Sequence, residues 1–241
     1  ALISHEENFR VPLGFQKVFA YFFPKSLAGV EGEDWKRIKK ILQRALSKTS
    51  YSQILPSLVN NLNYAFHTPS KENKDKSIAN SISTIDLISR STFDAFHELV
   101  YEWNPESMKE NPEALKLLDS CNLISLAVGE RMFLPFKLLW LLPTKKNKLY
   151  EGANKELKAF VEEFLVEQKE LLRTNKEEVL AKKRKSLLQE MLLANELEED
   201  VKGRLSHAEL VDQVCSLFFA AFDTTSTILS FALNYLARNQ D

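Results

Sequence analysis

Asp223 is the single charged residue in the run 214–237, VCSLFFAAFDTTSTILSFALNYLA, and Thr224 and Thr225 follow it directly. A carboxyl beside a hydroxyl can pass protons to a bound oxygen species. At helical spacing Ala220, Asp223, Thr224 and Thr227 share one side. The small residues Ala220 and Ala221, just before the Asp-Thr pair, leave a groove where something flat can approach the backbone. A structural reading competes with this one: threonine hydroxyls bond back to carbonyls four residues earlier, and the aspartate finds a partner elsewhere. Spacing alone favours the structural reading.

The element carrying these residues is a helix beginning at Ser206. Ser206 and Glu209 have capping-box spacing, S-x-x-E, in which each side chain satisfies an orphan backbone donor. A helix apolar all round is either buried in a large domain or spans a membrane. A span would put Asp223 near the midplane at a cost of about 3 kcal/mol, so a buried central helix over 206–238 is the expectation. Upstream, Asp34 caps a helix over 34–47 with the apolar stripe Trp35, Ile38, Ile41, Leu42, Ala45 and Leu46. Its other face is basic. Further helices are expected over 51–67, over about 78–100, over 113–130, over 146–173 and over 177–194. Residues 69–77 are a polar loop, and 195–204 an acidic turn. The segment 132–142 (MFLPFKLLWLL) is apolar but too short to span a bilayer. It is either a core-packed loop or an interfacial contact. No repeat and no strand is evident, so the fold class is mainly α.

Composition narrows the functions. The chain has 241 residues, with 32 Lys+Arg against 33 Asp+Glu and a net charge of −1, which argues against a general nucleic-acid binder. Two cysteines, Cys121 and Cys215, exclude a disulfide framework and a structural zinc site; both read as buried small hydrophobes. The histidines His5, His67, His97 and His207 lack metal-ligand spacing and suit surface or capping roles. The cluster 182–185 (KKRK) reads as the polar face of a helix rather than a localisation signal. Residues 1–10 form no signal peptide, and the chain reads as an internal piece of something longer.

Ala220-Ala-Phe-Asp-Thr-Thr225 resembles the (A/G)-G-x-(D/E)-T-T signature on the central helix of the cytochrome P450 family of haem-thiolate monooxygenases. Gly32-Glu-Asp-Trp-Lys-Arg-Ile-Lys39 resembles that family's G-x-x-W-x-x-x-R helix, and the order of the two motifs fits. The resemblance implies the helical portion of the P450 fold, ending at the long oxygen-activating helix. Residues 1–33, irregular but rich in aromatics, would be a substrate-channel loop region, 34–47 a propionate-side helix and 113–173 the channel roof. It also implies haem, dioxygen, an apolar substrate and NADPH-derived electrons delivered by a flavoprotein reductase or ferredoxin. The parent would sit on the cytosolic face of the endoplasmic reticulum membrane.

Residue by residue, Thr224 matches the threonine that helps protonate dioxygen, and Asp223 its acidic neighbour. Ala220 and Ala221 would lie over the haem face, with Ser216 and Phe219 towards substrate. Trp35 and Lys39 match the propionate contacts. Two residues depart from the pattern. Ala221 replaces glycine, which puts the usual helix distortion in doubt, and Lys39 replaces arginine, which loses the bidentate fork. The family's E-x-x-R helix and cysteine loop have no match here. The resemblance therefore assigns no iron ligand within the chain and puts the ligand cysteine downstream of Asp241, so the piece alone is expected to be inactive. The alternative is a non-catalytic helical interaction protein or a membrane-associated one.

Overall fold

Periodicity, caps and breakers resolve the chain into α-helices, and the computed structural model describes residues 13–48, 52, 54–71, 74–134, 137–183 and 185–240. His5 and Asp241 fall outside the described residues, so the readings placed on residues 1–10 and on the chain beyond Asp241 meet no structural observation. The side chains of Leu13, Lys48, Lys137, Phe219 and Ala221 lie outside that description too. In order the helices are α1 (Leu13–Phe22), α2 (Gly32–Lys48), α3 (Ile54–His67), α4 (Ile78–Ser81) and α5 (Thr84–Tyr101). They continue with α6 (Pro112–Phe133), α7 (Lys145–Thr174), α8 (Lys176–Ala181), α9 (Leu187–Glu196) and α10 (His207–Arg238). Among the described residues there is no strand, and one isolated bridge, Pro69 to Ser77, closes the polar loop.

Local chemistry explains most boundaries. The Ser206–Glu209 capping box forms, with Glu209 N–H donating to Ser206 Oγ and Ser206 N–H donating to Glu209 Oε2. Asn111 and Thr144 cap α6 and α7, each side chain accepting a first-turn N–H. Four expectations are corrected. The region 1–33, read as loop, holds the helix α1 over Leu13–Phe22. Asp34 is not a cap: α2 starts at Gly32, whose φ of +63° suits glycine, and Asp34 instead pairs with Arg37 at 2.9 Å. The helix expected over 78–100 breaks at Ile82 and Ser83, because Ser83 turns extended and accepts from the Asp86 N–H. The helix over 177–194 breaks likewise, with Ser186 and Gln189 forming a second capping box that starts α9. The basic cluster 182–185 therefore lies in the break between α8 and α9; Arg184 is outside the described residues.

The core forms where α5, α6 and α7 pack on the first half of α10. Its densest part is aromatic: Phe218 of α10 meets His97 at 4.3 Å, Tyr101 at 4.7 Å and Phe160 at 5.9 Å between ring centroids. Such pairs add about 0.5–1.5 kcal/mol each beyond area burial. His97 thus corrects the surface-or-cap expectation. It is fully buried, Nδ1 bonds to Phe93 O at 2.7 Å, and burial pushes its pKa down to about 3. Cys121 and Cys215 are both buried, as expected of small hydrophobes.

The burial expected for the whole central helix holds only for its first half. Beyond Phe222 the apolar side chains Ile228, Phe231 and Tyr235 are about two-thirds exposed, although Ser226 between them and Phe222 is buried. By length and composition alone, 201–238 is also long and apolar enough to cross a membrane.

The segment 132–142 is not core-packed. Phe133, Leu138 and Leu141 are exposed, and among the described side chains of the segment only Trp140 turns inwards. Trp140 joins Tyr21, Phe22 and Tyr150 around the buried guanidinium of Arg131, at 4.2–5.7 Å from the ring centroids. This cation–π cage fastens α1 to α6.

Candidate functional site

α10 is α-helical without interruption across 220–224, so successive side chains fan out at fixed angles. Thr224 is exposed on the open side, and its Oγ1 donates to Ala220 O at 3.0 Å. Asp223 is half-buried and turned the other way, towards α6, where its Oδ2 accepts from Ser125 Oγ at 2.8 Å. The two relay candidates are neighbours in sequence but bond to different partners. Ser226 Oγ donates to the Asp223 backbone carbonyl at 3.0 Å. Thr227 is exposed beside Thr224, one turn on.

Ala220 is half-buried, and its small side chain leaves the helix surface open beside Thr224. Ser216, one turn earlier, is half-buried with its hydroxyl donating to Gln213 O at 2.9 Å. The side chains of Phe219 and Ala221 fall outside the described residues, so the structure assigns them no contact.

Trp35 and Lys39 lie on a second element. Both are half-buried on α2, with Lys39 Nζ 4.2 Å from the centre of the Trp35 ring. They line an open basic groove with Lys36, Lys40 and Arg44. The basic face of α2 is more than solvated surface, since Lys40 and Arg44 pair with Glu198 at 2.8 and 3.3 Å. Arg37 reaches the start of α10, donating to Arg204 O just ahead of the helix at 3.0 Å and pairing with Glu209 in its first turn. Burial works against the Glu209 charge, yet the Arg37 and Ser206 hydrogen bonds hold its carboxyl below the usual range. Asp223 lies fourteen residues beyond Glu209, about 21 Å of helix rise. The two candidate groups are therefore held at opposite ends of a stretch of α10 and do not touch through any described contact.

Sequence reasoning missed two buried residues just before the apolar run. Gln213 Oε1 accepts from the Leu27 N–H at 3.0 Å, and Gln213 Nε2 donates to Lys25 O at 2.9 Å. Asp212 accepts from the Lys25 N–H at 2.8 Å and pairs with Lys158 at 3.1 Å. Together they fasten the 25–27 loop to α10. An adjacent Asp-Gln pair entering a buried helix was the available signal. Ser125 had none beyond lying one turn from Cys121.

A profile of the family described as Cytochrome P450 matches residues 1–241. The chain belongs to the cytochrome P450 family. It is 25% identical over 218 residues to cytochrome P450 3A31 of Mesocricetus auratus, covering 90% of this chain and 42% of that protein. To the 7-deoxyloganic acid hydroxylase of Catharanthus roseus it is 21% identical over 222 residues, covering 88% and 40%. Among solved structures, retinoic acid-bound cyanobacterial CYP120A1 superposes with a TM-score of 0.63 at 20% identity, covering 95% of this chain and 45% of that one. This likeness shows a shared mainly α fold. The chain spans less than half the length of the relatives it matches.

The P450 family is one of haem monooxygenases, and the residues present fit part of a haem site. The open strip of α10 beside Ala220 and Thr224 offers small side chains to a flat group. The Trp35–Lys39 pair offers a cation and an indole to its acidic edge. Neither cysteine fits the ligand role. Both are enclosed in the packed core, where burial pushes the thiols up and no open face is left for a flat group.

Proposed function

We propose that this chain is the oxygen-facing portion of a monooxygenase that inserts one atom of O2 into an apolar organic substrate. The observation carrying this reading is the open side of α10, where the exposed Thr224 hydroxyl adjoins Ala220, with the Asp223 carboxylate one residue earlier and turned towards α6. Haem, when bound, supplies the redox centre at which O2 is reduced; its thiolate ligand is proposed to come from a cysteine downstream of Asp241. The balanced reaction is RH + O2 + 2 e⁻ + 2 H⁺ giving ROH + H2O. Two protons must therefore reach oxygen without bulk water flooding the site.

Thr224 presents its hydroxyl on the open side, and Asp223 is the acid one residue away that replenishes protons from the α6 side. The open face at Ala220 admits the flat cofactor, and Ser216 and Phe219 are proposed to face substrate. Trp35 and Lys39 are proposed to hold its propionate edge, with Lys39 acting as a point charge rather than a fork. Electrons come from NADPH through a flavoprotein reductase or ferredoxin, for which the basic groove of α2 offers an electropositive surface.

The exposed Phe133, Leu138 and Leu141 support an interfacial contact of the parent with the endoplasmic reticulum membrane. A non-catalytic helical interaction or membrane-associated protein is the contrary reading, and oxygen labelling separates the two. Full-length parent enzyme, loaded with haem and given 18O2 and an apolar substrate, is expected to yield product 2 Da heavier than under 16O2. Product whose oxygen derives from water would overturn the proposal.

A further inference from the structure

The helix α6 reaches the acid of the relay through one side chain. Ser125 Oγ donates to Asp223 Oδ2 at 2.8 Å, joining residues 98 apart in sequence. Among the described residues no other donor bonds to that carboxylate. A second observation places the carboxylate on the same face of α6. Cys121 sits one turn before Ser125, and its thiol is pushed up first by burial and then by the nearby Asp223 charge. Thr224 meanwhile spends its hydroxyl proton on Ala220 O. The acid is thus fastened to a different helix from the one that carries it.

We infer that Ser125 is a positioning residue for Asp223, its hydroxyl pinning Oδ2 to α6 and leaving Oδ1 as the oxygen that exchanges protons. The inference deepens the proton-relay reading of Asp223 and Thr224 and rests on it. An aspartate side chain has two free torsions, and a half-buried carboxylate without a fixed donor rotates among several rotamers. A hydrogen bond from a hydroxyl to an ionised group selects one of them by about tenfold. Loss of that selection slows proton delivery relative to the competing release of reduced oxygen. That competing route is O2 + 2 e⁻ + 2 H⁺ giving H2O2, with the electrons drawn from the same NADPH.

The test uses the full-length, haem-loaded parent with its reductase, NADPH and an apolar substrate. It compares Ser125→Ala, Ser125→Thr, Asp223→Asn and the double variant Ser125→Ala/Asp223→Asn. Ser125→Ala is expected to lower the ratio of product to peroxide by about tenfold while substrate affinity stays within about twofold. Ser125→Thr, which keeps the hydroxyl, is expected to restore the ratio. In the Asp223→Asn background, Ser125→Ala is expected to change the ratio no further.

Thermal unfolding of the same four proteins without substrate supplies a readout apart from turnover, and the two losses should be non-additive. Should Ser125→Ala fold poorly, Ser125→Cys, nearly isosteric with a weak donor, takes its place with the same expected direction. If Asp223→Asn uncouples the enzyme but Ser125→Ala leaves the ratio at wild type, the positioning role is wrong. Fully additive effects of the two substitutions would overturn it equally. If Asp223→Asn itself keeps the wild-type ratio, the relay reading fails and takes this inference with it.

Discussion

Replacing Gln213 by leucine tests how the central helix holds the loop between α1 and α2. Gln213 is 1% exposed, and its amide accepts from the Leu27 N–H at 3.0 Å while donating to Lys25 O at 2.9 Å. Leucine keeps the volume but removes both bonds, leaving a half-buried N–H and C=O without those partners. Each such bond contributes about 1 kcal/mol net, so local opening of the loop becomes easier by about 2 kcal/mol. At 1.36 kcal/mol per tenfold, that is about 30-fold faster amide exchange. The loop is not released altogether, because Asp212 still accepts from the Lys25 N–H and keeps its pair with Lys158. Hydrogen exchange read by mass spectrometry on peptides spanning 23–30 of the full-length protein measures the change. Exchange near Leu27 should rise by that factor, while peptides from α7 stay as they were. A change below about threefold would refute the clamp.

Three further outcomes follow from buried, strained and exposed groups. His97 has its pKa lowered by burial from 6.5 to about 3, so the unfolded chain binds more protons between those values, and this contribution is lost as pH falls from 6.5 towards 3. Between pH 6.5 and 5, His97→Phe should therefore lose about 1.6 kcal/mol less stability than wild type by urea unfolding; equal losses would contradict the burial of a neutral imidazole. Glu106 has φ +63° and an exposed carboxylate pairing only with Lys109 among the described residues. Glu106→Gly should stabilise by about 0.5 kcal/mol, whereas Glu102→Gly, which loses the bonds from Lys182 and Gln189, should destabilise. Replacing the exposed Phe133, Leu138 and Leu141 together by serine should weaken binding of the full-length parent to phospholipid vesicles by at least about tenfold in flotation assays. Unchanged flotation would remove the interfacial role.

The helices were legible in sequence because apolar residues recur at helical spacing and caps mark the ends, as at Ser206 and Glu209. The breaks before Ser83 and Ser186 were not, because a serine within a periodic run reads equally as a helix residue or as a cap. His97 was misplaced for a related reason. Nothing in its neighbourhood on α5 tells that Phe218, over a hundred residues away, closes the aromatic cluster around it.

The relay candidates Asp223 and Thr224 stood out as polar residues in an apolar run, a local signal. The partner of Asp223 did not, since Ser125 comes to it through the crossing of α6 on α10. The second half of α10 was expected to be buried from its composition. Composition reports what a helix is fit to contact, and among the described residues nothing contacts Ile228 or Phe231 closely enough to cover them.

The role proposed for Thr224, on the open side of α10, is to deliver protons to oxygen. The most direct measurement is the yield of product per NADPH consumed by the full-length parent carrying Thr224→Ala, with haem content and substrate affinity checked alongside. Continued NADPH consumption, a yield lowered by at least about tenfold and a matching rise in peroxide are expected. Product yield and peroxide both at wild-type levels would contradict it.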